Sequence, residues 1–271
     1  MNGEVAVRLH QHESGGGFTD IEITDGTSFH VILEAKRGWW LPGREQLGLY
    51  ARRFEDSATA QPRLVVLTQW GAESAARHAI AAMGLPYRCD VVGWSDVLGL
   101  VWEARRSSRG APRHWLDQLG PYLREVTDMR DTNSNTVYVV SLGHQRPHGW
   151  AHDFLEVVTT LGRYFFPASG RNWPKVPPNY IAFRYNGQLQ SIHHVDDYVI
   201  ASDMSELLPV PPTPWEPHFL LTLGPAIRPP HHTPTGPRIR RSARVWADID
   251  LLLTSPSISE AHTLTLQRRR E

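Results

Sequence analysis

The chain of 271 residues reads as an α/β protein in two domains, residues 1–130 and 131–271. Three observations predict it. Between Phe18 and Lys36, two runs of β-forming residues flank Asp25-Gly26, a hairpin turn pair. From Arg63 to Val92, an apolar run, a helix-like stretch and a second apolar run follow in order; this β-α-β unit extends the hairpin into a mixed sheet flanked by helices. At residues 131–135 the sequence turns small and polar, and beyond it closely spaced strand candidates and dense prolines give an α+β domain rich in antiparallel strands.

In chain order, residues 5–9 form a short strand candidate, followed by a loose stretch to Gly17 whose three glycines read as a flexible turn. Phe18, Asp20, Glu22 and Thr24 alternate with Ile21 and Ile23, the period-two pattern of a half-buried strand with its carboxylates on one face. The return strand, residues 29–36, places Glu34 and Lys36 two apart, so both side chains leave the same face. An acid from each strand therefore converges beside one ammonium. Residues 44–54 carry Leu47, Tyr50, Ala51 and Phe54 at helical spacing, so this helix packs on the sheet, with Gln46, Tyr50 and Arg53 along one edge. Residues 63–69 and 87–92 are strands, and 73–83 is a helix ended by Gly84. Ser95 caps a helix to about Arg106, and residues 112–128 form a further helix.

Two carboxylates beside a lysine suit metal-assisted cleavage of a phosphodiester. Magnesium takes oxygen ligands, typically one or two carboxylates completed by water and substrate phosphate, and lowers the pKa of bound water. A lysine next to it positions or deprotonates the attacking water. The pattern Asp20…Glu34-Ala35-Lys36 resembles the signature of the PD-(D/E)xK nuclease superfamily, and Gln46-Leu47-Gly48-Leu49-Tyr50 resembles the QxxxY element of its recombination-exonuclease branch. That resemblance covers about residues 18–100 and implies a restriction-endonuclease-like core. It implies that Asp20 and Glu34 bind Mg2+ or Mn2+ with the Ala35 carbonyl as a further ligand. Lys36 would act on the water, and Gln46 and Tyr50 would orient the site or the scissile phosphate. The substrate it implies is DNA rather than RNA, in restriction, repair or antiviral defence. The alternative is a catalytically silent nuclease fold that holds nucleic acid or recruits a partner protein; a homodimer or a subunit of a defence complex fits either reading. The chain departs from the family pattern ahead of the hairpin. No long helix fits there, so either that helix is missing or Glu4 or Glu13 substitutes for the acid that it often bears.

Composition adds a separate clue. Of 28 basic residues only Lys36 and Lys175 are lysine. Arginine is a planar fork that does not lose its proton, so a lysine kept at position 36 points to a need for a compact, titratable ammonium. Formal net charge is zero, so nucleic-acid contact must come from local patches. The single Cys89 excludes an intrachain disulfide and a cysteine metal cluster. No apolar run approaches the roughly 20 residues of a membrane span, and no signal-peptide pattern opens the chain, so a cytoplasmic protein without membrane contact is expected.

Nucleic-acid contacts are expected from Arg37, Trp39, Arg44 and Arg53 around the site and from Arg238, Arg240 and Arg241 in the second domain. Trp39 and Trp40 either stack on bases or plug a strand-to-helix corner. The arginines at 228, 238, 240, 241 and 244, with no acid between Pro217 and Ala247, form either a phosphate-binding arm or a solvated loop. In this second domain residues 136–142 are a strand and 153–165 a helix. Residues 179–185 and 188–193 make a hairpin through Asn186-Gly187, and 218–223 and 245–253 are further strands. A barrel of the PUA-like kind is the fold expected by analogy. The pairs His193-His194 and His231-His232 send their side chains to opposite faces and do not chelate one ion together. Residues 268–270 read as a frayed tail.

Overall fold

The computed structural model describes residues 5–270 apart from 14–16, 37, 56–60, 70, 128–129, 131–132, 170–171 and 213–214. The chain divides into two compact units, Met1–Asp128 and Met129–Glu271, within a few residues of the boundary read from composition. Both are mixed α/β units, and none of the described helices is long and apolar enough to cross a membrane.

The first unit holds a five-stranded sheet in simple order, β1 (Ala6–Glu13), β2 (Gly17–Thr24), β3 (His30–Ala35), β4 (Pro62–Thr68) and β5 (Arg88–Gly93). The first three run antiparallel, and β3, β4 and β5 run parallel, as the hairpin and the β-α-β unit require. Strand β1 is longer than its apolar run suggested, because it pairs with β2 as far as Glu13 opposite Gly17. In the turn between β2 and β3, Asp25 Oδ1 accepts from the backbone N–H groups of Thr27, Ser28 and Phe29 at 2.7–3.1 Å, and Gly26 takes a φ of 78°.

Helix α1 (Arg44–Glu55) and helix α2 (Glu73–Met83) cover one face of this sheet. Leu47, Tyr50, Phe54 and Ile80 pack there on Ile32, Leu64 and Val66, all buried. Burying such a side chain stabilises by about 1.5–3 kcal/mol, so this face holds the unit together. On the opposite face Val7 and Leu9 are exposed and Ile21, Ile23, Val31 and Leu33 are half-buried. Helices α3 (Trp94–Ser107) and α4 (Ala111–Thr127) form a hairpin around Leu98, Val101 and Leu123. Gly93, not Ser95, is the N-cap of α3; its N–H donates to Asp96 Oδ2 at 3.0 Å, and Ser95 lies one residue inside the helix.

The second unit has a six-stranded sheet ordered β11-β6-β8-β9-β10-β7. Its strands are β6 (Thr136–Ser141), β7 (Arg163–Pro167), β8 (Tyr180–Tyr185), β9 (Gln188–Ala201), β10 (His218–Ile227) and β11 (Val245–Asp248). Among the described residues, only β6 and β8 pair in parallel. The sheet rolls up on itself. Tyr138 on β6 and Phe166 on β7 stand four strands apart in that order, which in a flat sheet is roughly 19 Å, yet their rings lie 6.4 Å apart. Register shifts where β9 meets β10 and β8 supply the bending. The enclosed space is filled by rings, among them Tyr138, Phe166, Phe183 and Phe219.

Three expectations for this unit are corrected. Residues 153–165 do not form one helix: α5 (Phe154–Thr159) stops early, Gly162 takes a φ of 62°, and the β-forming run from Arg163 becomes strand β7. Residues 245–253 are a strand only to Asp248, which caps α6 (Ile249–Thr254). Arg268 is not frayed; it closes α7 (Ile258–Arg268) and bridges Asp248 and Asp250 at 2.9 Å each. The Asn186-Gly187 hairpin is as read, with φ values of 53° and 78°. His193 is buried and His194 exposed, the opposite faces expected of neighbours on a strand.

Candidate active site

The site follows from pairing register. Ile21 faces Leu33 across the β2–β3 ladder, and beyond that pair Asp20 sits beside the end of β3. Asp20 Oδ2 accepts the Ala35 N–H at 2.7 Å, so a side chain replaces the next ladder bond. Both groups of one strand residue leave the same edge, which directs the Ala35 carbonyl toward Asp20 as well. On the other edge, Lys36 N–H donates to the Leu67 carbonyl at 3.0 Å, and Trp94 Nε1 donates to the Lys36 carbonyl at 2.9 Å. The backbone carrying the lysine is fixed from both sides.

Glu34 is only 2% exposed and is held by three donors. The Lys36 ammonium and Gln46 Nε2 both reach Oε1, the latter at 2.8 Å. The Tyr50 hydroxyl donates to Oε2 at 2.5 Å. Gln46 Nε2 and the Tyr50 oxygen are also 3.1 Å apart, as the four-residue helical spacing allows. Burial, and then the hydrogen bond to Glu34, raise the Tyr50 pKa well above the ordinary tyrosine range. Tyr50 therefore stays protonated and donates to Glu34 throughout the neutral range. The structure thus brings Asp20, Glu34, Ala35, Lys36, Gln46 and Tyr50 into one cluster.

Beneath it lies a buried pair that the sequence reading did not use. Glu22 shares its strand face with Asp20; its Oε1 receives the Arg53 guanidinium and the Thr19 hydroxyl, the latter at 2.8 Å, and His30 Nε2 lies 3.6 Å from Oε2. Glu22 and Arg53 are each 4% exposed. This corrects the placement of Arg53 on a phosphate path: it is an internal counter-ion that ties α1 to β2. In the sequence Glu22 alternates with Asp20, and a buried carboxylate requires a partner, but only packing identifies Arg53 as that partner.

The remaining expected contacts divide. Arg44 is exposed, and Trp39 stacks on Trp40 with ring centroids 4.4 Å apart, Trp40 being 57% exposed. Arg37 and Glu4, and the side chain of Glu13, lie outside the described residues. In the second unit Arg228, Arg238, Arg240 and Arg241 are exposed, whereas Arg244 is half-buried with its guanidinium 3.7 Å from the centre of the Trp173 ring. Arg244 therefore leaves the set of free phosphate contacts. Cys89 lies half-buried on β5, where burial pushes its thiol up to about 11, so it is an inert packing group.

The donor set suits a hard cation. Two carboxylates and a backbone carbonyl offer oxygen only, which fits Mg2+ or Mn2+ completed by water and phosphate. Among the described residues no group of three or more His, Cys, Asp or Glu side chains converges. Compared with family models, with curated proteins and with solved structures, the chain matches none.

Proposed function

We propose that the first unit is a metal-dependent phosphodiester hydrolase acting on DNA. The observation that carries this reading is the convergence of Asp20, Glu34 and Lys36 at the diverging end of β2 and β3, with Glu34 clamped by Gln46 and Tyr50. When bound, Mg2+ or Mn2+ would lower the pKa of water and balance charge developing on the phosphate. Asp20, Glu34 and the Ala35 carbonyl would hold it. Lys36, on a strand end fixed by Leu67 and Trp94, presents a compact ammonium that orients or deprotonates the attacking water. Gln46 and Tyr50 do not touch the substrate in this reading; they keep the Glu34 carboxylate oriented.

The resemblance to PD-(D/E)xK nucleases supports this assignment and a role in restriction, repair or defence. Arg44 and the exposed arginines of the second unit would supply backbone contacts. The test is incubation of the full chain with supercoiled, linear and single-stranded DNA, and with RNA, with and without Mg2+ or Mn2+. Metal-dependent cleavage of DNA supports the reading. Retained metal-dependent cleavage in a Glu34→Gln variant would sink it.

A further inference from the structure

We propose that the second unit captures one unstacked nucleotide at the mouth of its rolled sheet, base in an aromatic cavity and phosphate in an arginine-edged groove beside it. The cavity, about 250 Å3, opens where the end of β6 meets β7. Phe154, Tyr164 and Phe165 line it and are only half-buried, which leaves part of their ring surface accessible, while Trp173, packed between Phe166 and Arg244, closes one side. Drug-sized ligands fill pockets of roughly 300–1,000 Å3, so a smaller, flat group such as a single base is the better match. His218 also lines the cavity. Its Nδ1 lies 2.6 Å from the Glu216 carbonyl, which can only accept, so Nδ1 carries the hydrogen and Nε2 is left as an acceptor. Burial lowers the His218 pKa and keeps the ring neutral. A neutral acceptor next to ring faces suits the N–H edge of a base.

A second observation selects a nucleotide over other flat groups. A neighbouring cavity of about 530 Å3 shares Ser141, Leu142 and Gly143 with the first, and Arg241 and the Asn186-Gly187 turn line its other side. The turn carrying Arg241 is held in place. Buried Arg184 donates to the carbonyls of Arg240, Arg241 and Ala243 at 2.7–2.9 Å. An aromatic cavity and a cationic groove separated by one three-residue wall match a base and its own phosphate. The base must be out of its stack to enter, so a single strand or an unpaired position is the form bound. This inference rests on the nuclease reading only in choosing DNA as the probe. Binding is measured in EDTA, which separates its failure from failure of the cleavage assignment.

The experiment is fluorescence anisotropy of the full chain with three labelled DNAs: a 12-mer single strand, its perfect duplex, and that duplex with one unpaired nucleotide. Gly143→Trp is chosen to plug the shared wall; a Cβ there meets nothing nearer than Gln145 N at 3.9 Å, so the backbone accepts a side chain at this position, and thermal melting reports whether the indole is tolerated. Tyr164→Leu keeps apolar bulk and removes a ring. Each should weaken the single strand and the unpaired duplex by about 5- to 150-fold, the range expected for a lost base–aromatic stack, and leave the perfect duplex nearly unchanged. Arg241→Glu should weaken all three. Competition by deoxynucleoside monophosphates identifies a free nucleotide as the occupant, and competition only by unlabelled strand identifies a nucleotide within DNA. Equal binding of all three DNAs by the parent overturns the proposal. So does unchanged single-strand affinity in Tyr164→Leu at an unchanged melting temperature, whether or not Gly143→Trp folds.

Discussion

Tyr50→Phe isolates what the helix contributes to the site. The ring is fully buried in the core with Leu47 and Phe54, and phenylalanine keeps that packing. What disappears is the hydroxyl, which donates to Glu34 Oε2 at 2.5 Å and accepts from Gln46 Nε2 at 3.1 Å. Glu34 keeps Lys36 and Gln46, both on Oε1, so Oε2 alone loses its partner. A hydrogen bond to a charged group is worth about 1.5–3 kcal/mol. At about 1.36 kcal/mol per tenfold in rate, a full loss in the transition state slows cleavage by roughly 10- to 150-fold. The assay is single-turnover cleavage of DNA at saturating Mg2+, with thermal melting to show that the fold is intact. A second-sphere partner also tunes metal affinity, so the Mg2+ concentration at half-maximal rate should rise. Parent rates at all metal concentrations in a folded Tyr50→Phe variant would refute the role given to the clamp.

Arg53→Met keeps much of the side-chain volume and leaves Glu22 as a buried charge without its guanidinium, which should cost about 3–5 kcal/mol; a change under about 1 kcal/mol in urea unfolding would show that the pair is not the strut described. Alkaline stability follows from burial that raises Tyr50, Tyr87, Tyr138 and Tyr164 above the ordinary tyrosine value. Above about pH 10 the unfolded chain loses these protons while the native chain keeps them, so stability falls as pH rises, by about 1.4 kcal/mol per pH unit for fully buried Tyr50. Melting temperatures between pH 9 and 12 test this, and Tyr50→Phe should flatten the slope. Replacing Arg238, Arg240 and Arg241 together by Ala should reduce the slope of log affinity against log salt on duplex DNA by up to about 3, since each phosphate contact contributes about 0.9. An unchanged slope would make that segment an ordinary solvated loop.

Local signals in the sequence were enough to place the core of the first unit. Alternation in β2, the Asp25-Gly26 turn and the apolar runs of β4 and β5 each depend on neighbours a few residues away, and each element formed close to where it was expected. The cluster of Asp20, Glu34, Lys36, Gln46 and Tyr50 was legible for the same reason, since strand and helix periods alone put those groups on facing surfaces. Arg53 was misread because its partner lies 31 residues away across the sheet, and only packing distinguishes a buried guanidinium from a solvent-facing one. In the second unit, β7 was hidden inside a helix-like run because Phe154, Val157 and Val158 set a helical period that Gly162 ends. The rolled sheet itself rests on non-local contacts such as Tyr138 with Phe166, which no window of sequence displays. Arg244 was counted with its exposed neighbours for want of the same information about Trp173.

The most direct test of the central claim is DNA cleavage by the full chain in Mg2+, comparing the parent with Lys36→Arg and with Asp20→Ala, Glu34→Gln and Lys36→Ala. The account predicts metal-dependent cleavage by the parent and near-complete loss in every variant at unchanged melting temperature. Lys36→Arg should fail with the rest because a planar, permanently charged fork does not replace a compact ammonium. Combining the three losses should cost little more than the worst of them, since the groups act on one water and one phosphate. Parent-level cleavage by Lys36→Arg would contradict the role of the lysine, and parent-level cleavage by Glu34→Gln would contradict the site.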